Sequence, residues 1–248
     1  MIISIWETAH AVRTDRALLK LFYEFTLQAV SKLFELGCPL VILACNTAIG
    51  KSHYAPSSRS NLPVIDATRR VLGVIRPTAE CIGEITRSRH VGILATAGTI
   101  KSESYLLEIH KLSPDIVVTG EACPMWVSLV ENNEYQSEGA DYFVKQHINR
   151  LLDKDPMIDT IILGCTHYPL LLDKIRQFTP GHIRIIAQGE YVARSLQDYL
   201  NRHPEMDARC EKGGKCRFLT TESENKFEES ASIFLGRQDI KVESIALE

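Results

Sequence analysis

The sequence contains no C-x-x-C pair, and its seven cysteines (Cys38, Cys45, Cys81, Cys123, Cys165, Cys210 and Cys216) are odd in number and irregular in spacing. A disulfide framework and a zinc site both need paired, regular spacings, so neither is supported. The expectation is a reduced, cytoplasmic protein whose cysteines are mostly small buried hydrophobes. No apolar run reaches the ~18 residues of a membrane-spanning helix. The opening Met1-Ile2-Ile3-Ser4-Ile5-Trp6-Glu7 has no basic segment leading into a long apolar one, so a secretory signal is not expected. Excess positive charge is also missing: 28 Lys and Arg stand against 31 Asp and Glu, a net charge of −3, which argues against a nucleic-acid or membrane-surface partner. What remains is ordinary for a soluble globular chain, with 248 residues, 45% hydrophobic and 24% charged. That length suits one large or two small domains with a sizeable core.

Hydrophobic periodicity predicts strands alternating with helices. A short strand over 2–6 precedes a helix over about 16–36, with Leu18, Leu21, Phe22, Phe25, Ala29, Leu33 and Leu36 at helical spacing and Gly37 ending it. A strand over 40–44 leads to a helical turn reaching about Ala55. Leu62–Ile65 reads as a strand, 67–75 as a helix interrupted by Pro77, with Ala79–Ile85 continuing it. His90–Leu94 is a strong strand that opens a second domain. A helix over 102–111, a strand over 116–119, and a short strand or turn over 124–131 follow. A helix over 137–153, a strand over 159–163 and a helix over 170–178 come next. The remainder reads as strand 183–186, helix 189–200, strand 217–221, helix 227–235 and strand 242–245, with Glu211-Lys212-Gly213-Gly214-Lys215 as a hairpin tip. Such alternation predicts an α/β fold with largely parallel sheets.

Two stretches carry chemistry. Thr160-Ile161-Ile162-Leu163-Gly164-Cys165-Thr166-His167-Tyr168-Pro169 is an apolar run stopping at a glycine, then a thiol, a hydroxyl, an imidazole and a proline opening a helical pattern. Leu40-Val41-Ile42-Leu43-Ala44-Cys45-Asn46-Thr47-Ala48 echoes it in the other half of the chain. Both read as buried strands delivering a thiol at their C-terminal ends, where open α/β sheets bind ligands. A thiol at a helix N-terminus lies near unpaired N–H groups and the positive end of the dipole, which favours thiolate. Any single cysteine is more often inert and buried, and Asn46, Thr47 and Thr166 can be simple helix caps. The same groups can grip a carboxylate, and His167 can exchange a proton beside Cys165. Two thiols flanking one cleft suit a nucleophile with its resolver, a redox pair, or an acid and a base on opposite faces of one carbon. Spacing does not choose among these.

Ala44-Cys45-Asn46-Thr47-Ala48 and Leu163-Gly164-Cys165-Thr166-His167-Tyr168-Pro169 resemble the paired signatures of the glutamate racemases, within the aspartate/glutamate racemase superfamily. Gly92-Ile93-Leu94-Ala95-Thr96-Ala97-Gly98-Thr99-Ile100 is similar to the strand and loop that open that family's second domain. Cys123-Pro124 through Leu129-Val130-Glu131, Phe218-Leu219-Thr220-Thr221 and Val242-Glu243 match further segments, so the resemblance runs from about residue 2 to 247. It implies two similar parallel-sheet α/β domains related by a pseudo-two-fold, here 1–88 with 189–248, and 89–188, with the site in the interdomain cleft. It implies interconversion of L- and D-glutamate without a pyridoxal cofactor or a metal, supplying D-glutamate to peptidoglycan. Cys45 would deprotonate D-glutamate and Cys165 L-glutamate, with His167 assisting Cys165. Asn46, Thr47, Thr166 and His167 would bind substrate, with Thr96, Thr99 and Glu131 close by.

Departures accompany the resemblance. The family begins with a strand ending in Asp-Ser-Gly ahead of the part that Ile2–Ala9 resembles, and this sequence has none. Val12-Arg13-Thr14 stands where the family has Pro-Tyr-Gly, Glu7-Thr8-Ala9 where it has Asp-Thr-Ala, and Ala187-Gln188-Gly189-Glu190 where it usually has Asp-Ser-Gly-Glu. The sequence therefore reads as a late-starting fragment or a diverged form, with Glu7 the nearest substitute for the absent Asp. An unpaired strand edge is one that a second copy can cover, which makes a homodimer an expectation. The alternatives are an inactive protein of the same fold and a racemase of aspartate or another acidic amino acid.

Overall fold

A computed structural model of the chain describes residues 2–6, 16–47 and 68–247. The expected strand over Leu62–Ile65, the Val12-Arg13-Thr14 segment, Glu7 and most of the turn after Cys45 lie outside the described residues. Contacts gather the described chain into two compact units. One takes in 2–6, 16–41, 68–72 and 200–247, the other 42–47 and 73–199.

In the first unit, strand β1 (Ile2–Trp6) leads to helix α1 (Arg16–Glu35). That helix buries Val30, Leu33 and Phe34. It ends at Gly37, whose φ of 91° lets the Gly37 N–H reach the Phe34 carbonyl and the Cys38 N–H the Leu33 carbonyl, a cap that a side chain would strain. Strand β8 (Cys216–Thr220) lies between β1 and β9 (Val242–Ser244), parallel to both. Helix α9 (Glu224–Leu235) packs Phe227 and Ala231 against Phe218, Ile240 and Val242. Both of β8's partners are parallel, so 211–215 is not a hairpin tip. Gly213 and Gly214 instead turn the chain, at φ of 102° and 68°, into a strand with no antiparallel partner.

Strand β2 (Leu40–Leu43) pairs with β3 (Arg70–Gly73). The helix expected over 67–75 is thus a strand followed by helix α2 (Ile75–Ile85), and pairing with β2 overrides a local helical spacing that ran across the junction. Pro77 does not break α2. It sits in the first turn, where the missing N–H has no intrahelical acceptor.

The second unit is built on four parallel strands in the order β5-β4-β6-β7: β4 (His90–Ala95), β5 (Val117–Ala122), β6 (Thr160–Gly164) and β7 (Arg184–Ala187). Helices α3 (Ala97–Lys101) and α4 (Ser104–Leu112) carry the chain from β4 to β5. Helices α5 (Trp126–Glu131) and α6 (Glu138–Lys154) carry it back to β6. A 3-10 turn (Tyr168–Leu171) and α7 (Leu172–Phe178) lead to β7, and α8 (Gln188–Arg202) follows. Residues 124–131, expected as strand or turn, hold the helix α5, with Trp126, Leu129 and Val130 buried.

Both faces of the sheet are covered. Val91, Ile93 and Ala95 alternate along β4 and pack with Ile75, Ala79, Ile82, Tyr105 and Ile109 of α2 and α4. On the opposite face, a Cβ at Gly92 would lie 2.7 Å from Leu151 Cδ2, which puts α6 directly against β4. Val144, Ile148 and Leu151, at helical spacing, are fully buried there. A strand covered on both sides needs a continuous apolar run, which explains Ile161-Ile162-Leu163. From β4 the chain first goes to β5 on one side and only then to β6 on the other. The C-terminal ends of β4 and β6 therefore form the point where strand order reverses, the place where such sheets hold ligands.

Candidate active site

Ala95 and Gly164 are register partners at that reversal point, so Thr96 and Cys165 leave the sheet side by side. Gly164 is closely surrounded. A Cβ there would lie 3.0 Å from Ala95 Cβ and 3.1 Å from Tyr105 Cε2, so glycine lets the Tyr105 ring approach the turn without displacing either neighbour.

Cys165 is half-buried as a residue, with its sulfur set deep among its neighbours. Burial pushes its pKa up to about 12; the N–H groups of His167 and Thr166 oppose the rise, and the charges of Cys45 and Glu131 add to it. The Cys45 contribution puts the two thiols within electrostatic reach of each other, although Cys45 itself is exposed. His167 Nδ1 lies 3.7 Å from Cys165 Sγ, and its Nε2 lies 3.3 Å from Glu131 Oε1. A ring with its proton on Nε2 faces the Glu131 carboxylate, leaving Nδ1 to accept the thiol proton. Thr166 is exposed and contributes its backbone N–H to the sulfur.

Thr47, Thr96 and Thr99 close a triangle of hydroxyls. Thr47 Oγ1 lies 2.9 Å from Thr96 Oγ1 and 3.1 Å from Thr99 Oγ1, and the latter two are 3.1 Å apart. Thr96 also caps α3, accepting from the Thr99 N–H at 3.2 Å. Each hydroxyl can donate once and accept twice, so the triangle can turn protons outward to an anion without losing all of its internal bonds.

Asn46 is held differently. It is buried, and its Nδ2 donates to Gln188 Oε1 at 2.9 Å while its Oδ1 accepts from the Tyr105 hydroxyl at 3.0 Å. Gln188 in turn donates to the Val74 carbonyl at 3.1 Å and to Thr78 Oγ1 at 3.2 Å. Burial, with the Cys165 charge second, keeps the Tyr105 phenol protonated and therefore a donor. Tyr105 and Gln188 were not among the residues singled out by sequence. Tyr105 reads there as one more apolar position on a helix, and Gln188 only as a departure from a motif.

Behind Cys165, Tyr168 donates to the Cys123 carbonyl at 3.2 Å, and its ring meets Trp126 edge-on at a centroid distance of 4.8 Å. Cys123 is fully buried and burial raises its pKa, so it is a packing residue. Cys45, Asn46, Thr47, Thr96, Thr99, Glu131, Cys165, Thr166 and His167 all belong to the same unit, whose described residues include 42–47 and 73–199. No group of three or more potential metal ligands occurs among the described residues. Nor does any helix there have the length and apolarity to cross a membrane.

The model of the Asp/Glu/Hydantoin racemase family matches residues 9–196. A glutamate racemase of Listeria monocytogenes is 35% identical over 224 residues, covering 90% of this chain and 80% of the relative. One from Streptococcus agalactiae is 36% identical, covering 90% and 81%. Among solved structures, a glutamate racemase isoform from Bacillus anthracis superposes with a TM-score of 0.83 at 30% identity, covering 99% of this chain and 88% of that one. A family match over most of the chain, with relatives above 30% identity at this coverage, decides the matter: the chain belongs to the Asp/Glu/Hydantoin racemase family.

Proposed function

We propose that this chain is a cofactor-independent glutamate racemase that uses Cys45 and Cys165 as its acid–base pair. The observation that carries the reading is the pair of thiols, each just beyond a strand end and within electrostatic reach of each other. Inversion at the α-carbon needs one group to remove the proton and another to return a proton on the opposite face. With D-glutamate bound, the Cys45 thiolate takes the α-proton and becomes a thiol. The Cys165 thiol then gives its proton to the other face and becomes a thiolate. The L enantiomer runs the same two transfers in reverse.

The supporting groups fit these steps. A thiol held up to about 12 is protonated at neutral pH and ready to donate. His167, between Cys165 and Glu131, can take that proton before Cys165 acts as a base. The hydroxyls of Thr47, Thr96 and Thr99 and the N–H groups beside Cys165 suit a substrate carboxylate. Concentrating two oriented proton carriers on one carbon is worth far more than either free in solution. The product D-glutamate would serve peptidoglycan synthesis. The seven free cysteines support a cytoplasmic location, and the strand edges left unpaired among the described residues support self-association as a homodimer.

The test is incubation of the purified chain with L- or D-glutamate in heavy water, with optical rotation and α-proton exchange followed together. Interconversion with exchange is expected, and Cys45→Ala and Cys165→Ala should each abolish inversion. Near-parental inversion in either variant, or activity lost to a carbonyl reagent, would overturn the two-thiol reading.

A further inference from the structure

The buried amides beneath Cys45 form an arrangement with only one way to satisfy its donors and acceptors. Gln188 uses both hydrogens of its side-chain amide, one on the Val74 carbonyl and one on Thr78 Oγ1. Its oxygen is thereby left for Asn46 Nδ2. Turning the Gln188 amide over would set its oxygen against the Val74 carbonyl and its NH2 against that of Asn46. Asn46 is fixed in the same way from its other end, because Tyr105 presents a hydroxyl proton to Oδ1. Three helices converge here: Thr78 on α2, Tyr105 on α4 and Gln188 at the start of α8. A half-satisfied buried amide is costly, so this set locks as a unit.

Asn46 directly follows the exposed Cys45 and opens the next helical turn. We infer that Gln188 is a positioning residue for the Cys45 thiol, holding the Cys45–Thr47 turn through the Asn46 amide while touching neither substrate nor sulfur. The Thr47 hydroxyl, one residue further on, takes its place in the hydroxyl triangle from the same anchored turn. The inference rests on the proposed role of Cys45 as the base for D-glutamate, but one arm of its test does not.

The first arm is kinetic and uses the full chain with Gln188→Met, which keeps the length of the side chain and removes its hydrogen bonds. Overall kcat/KM should fall about 10- to 100-fold equally in both directions, the scale of a misplaced catalytic group. Equality is required because the two enantiomers are of equal free energy. The isotope effects should instead diverge. The α-deuterium effect on kcat/KM should rise above the parental value with D-glutamate, where Cys45 breaks the C–H bond, and fall with L-glutamate. A general loss of structure would not split the two.

Thr78→Val removes one of the two acceptors of Gln188 at nearly constant volume. It should show the same divergence at smaller amplitude, and it carries the test if Gln188→Met does not fold. The second arm needs no turnover. Iodoacetamide labelling followed peptide by peptide should show the Cys45 rate rising several-fold in the variants while the Cys165 rate holds. Parallel isotope effects in an active variant, or an unchanged Cys45 labelling rate, would overturn the positioning role. An inactive parent whose variants still show the selective labelling change would instead count against the racemase reading and leave the positioning role standing.

Discussion

Cys165 offers the sharpest quantitative test of the site. Its pKa is pushed up to about 12 from an ordinary 9.0, chiefly by burial. Three units correspond to about 4 kcal/mol against the thiolate. At pH 8 the ionised fraction would be on the order of 10⁻⁴, against ~10⁻¹ for an ordinary thiol. Only the thiolate reacts with iodoacetamide, so the pH dependence of labelling reads ionisation separately from access. In the substrate-free protein, Cys165 labelling should climb about tenfold per pH unit through pH 9.5 with no plateau. In the urea-unfolded chain the same peptide should level off near its ordinary value. Cys45→Ser should move the native profile downward, because the Cys45 charge is one of the causes of the rise, but only modestly, because burial is the larger cause. A native plateau below about pH 10 would refute the reasoning, since it would mean that the N–H groups of Thr166 and His167 outweigh desolvation.

Two further predictions concern the frame around that thiol. Gly164→Ala should cost about 1–3 kcal/mol and lower racemisation, because the new methyl group meets the Ala95 Cβ at 3.0 Å and the Tyr105 ring at 3.1 Å, and Tyr105 cannot yield without releasing Asn46; an unchanged melting temperature would contradict it. Asp159, at the foot of β6, accepts from Thr86 Oγ1 at 2.7 Å, the Arg87 and Ser88 N–H groups at 2.6 Å each, and Thr160 Oγ1 at 2.8 Å. Although burial opposes it, those bonds hold the carboxyl well below its ordinary 3.8. Because the folded pKa is the lower one, this stabilisation is complete above the unfolded value and is lost as pH falls through the folded value. Asp159→Asn should therefore destabilise by about 1–3 kcal/mol at pH 7 and flatten the acid limb of a pH–stability curve, and a variant with the parental acid limb would show that Asp159 does not supply it.

Much of this molecule is legible in its residues. The strands over 90–94 and 159–163 are apolar runs bounded by turn residues, and a strand buried on both faces leaves no other reading. The helices starting near Arg16 and Ser137 carry their own apolar spacing, and the second adds a Ser137 cap on the Ala140 N–H. The misreadings fall where local pattern and tertiary pairing disagree. Residues 70–73 look helical until β2 is available as a partner, and 211–215 look like a hairpin until β8 is seen between two parallel strands. In the site, the residues proposed to carry chemistry stand out in the sequence by type and position. Those that hold them do not, because a buried tyrosine and a buried glutamine leave no period and no motif. Their importance lies in partners more than forty residues distant in the chain.

The echo between the two cysteine stretches conceals a difference that bears on how each thiol is controlled. Strand β6 lies between β4 and β7 and is buried at every position, so Cys165 inherits a desolvated setting. For the proposed acid–base role of Cys165 the difficulty is chemical, because burial holds the proton tightly; His167 Nδ1 at 3.7 Å and the N–H groups of His167 and Thr166 are the groups placed to ease it. Strand β2 pairs with β3 alone among the described residues and is only partly buried, and Cys45 beyond it is exposed. For the exposed Cys45 the proposed control is geometric, through an anchored neighbour. That anchor is the Asn46 amide, clamped between Tyr105 and Gln188. Similar sequences at two strand ends therefore call for different support, set by how many faces of each strand the fold covers. Removing an anchor should disturb where Cys45 points, whereas removing a neighbour of Cys165 should disturb when it ionises.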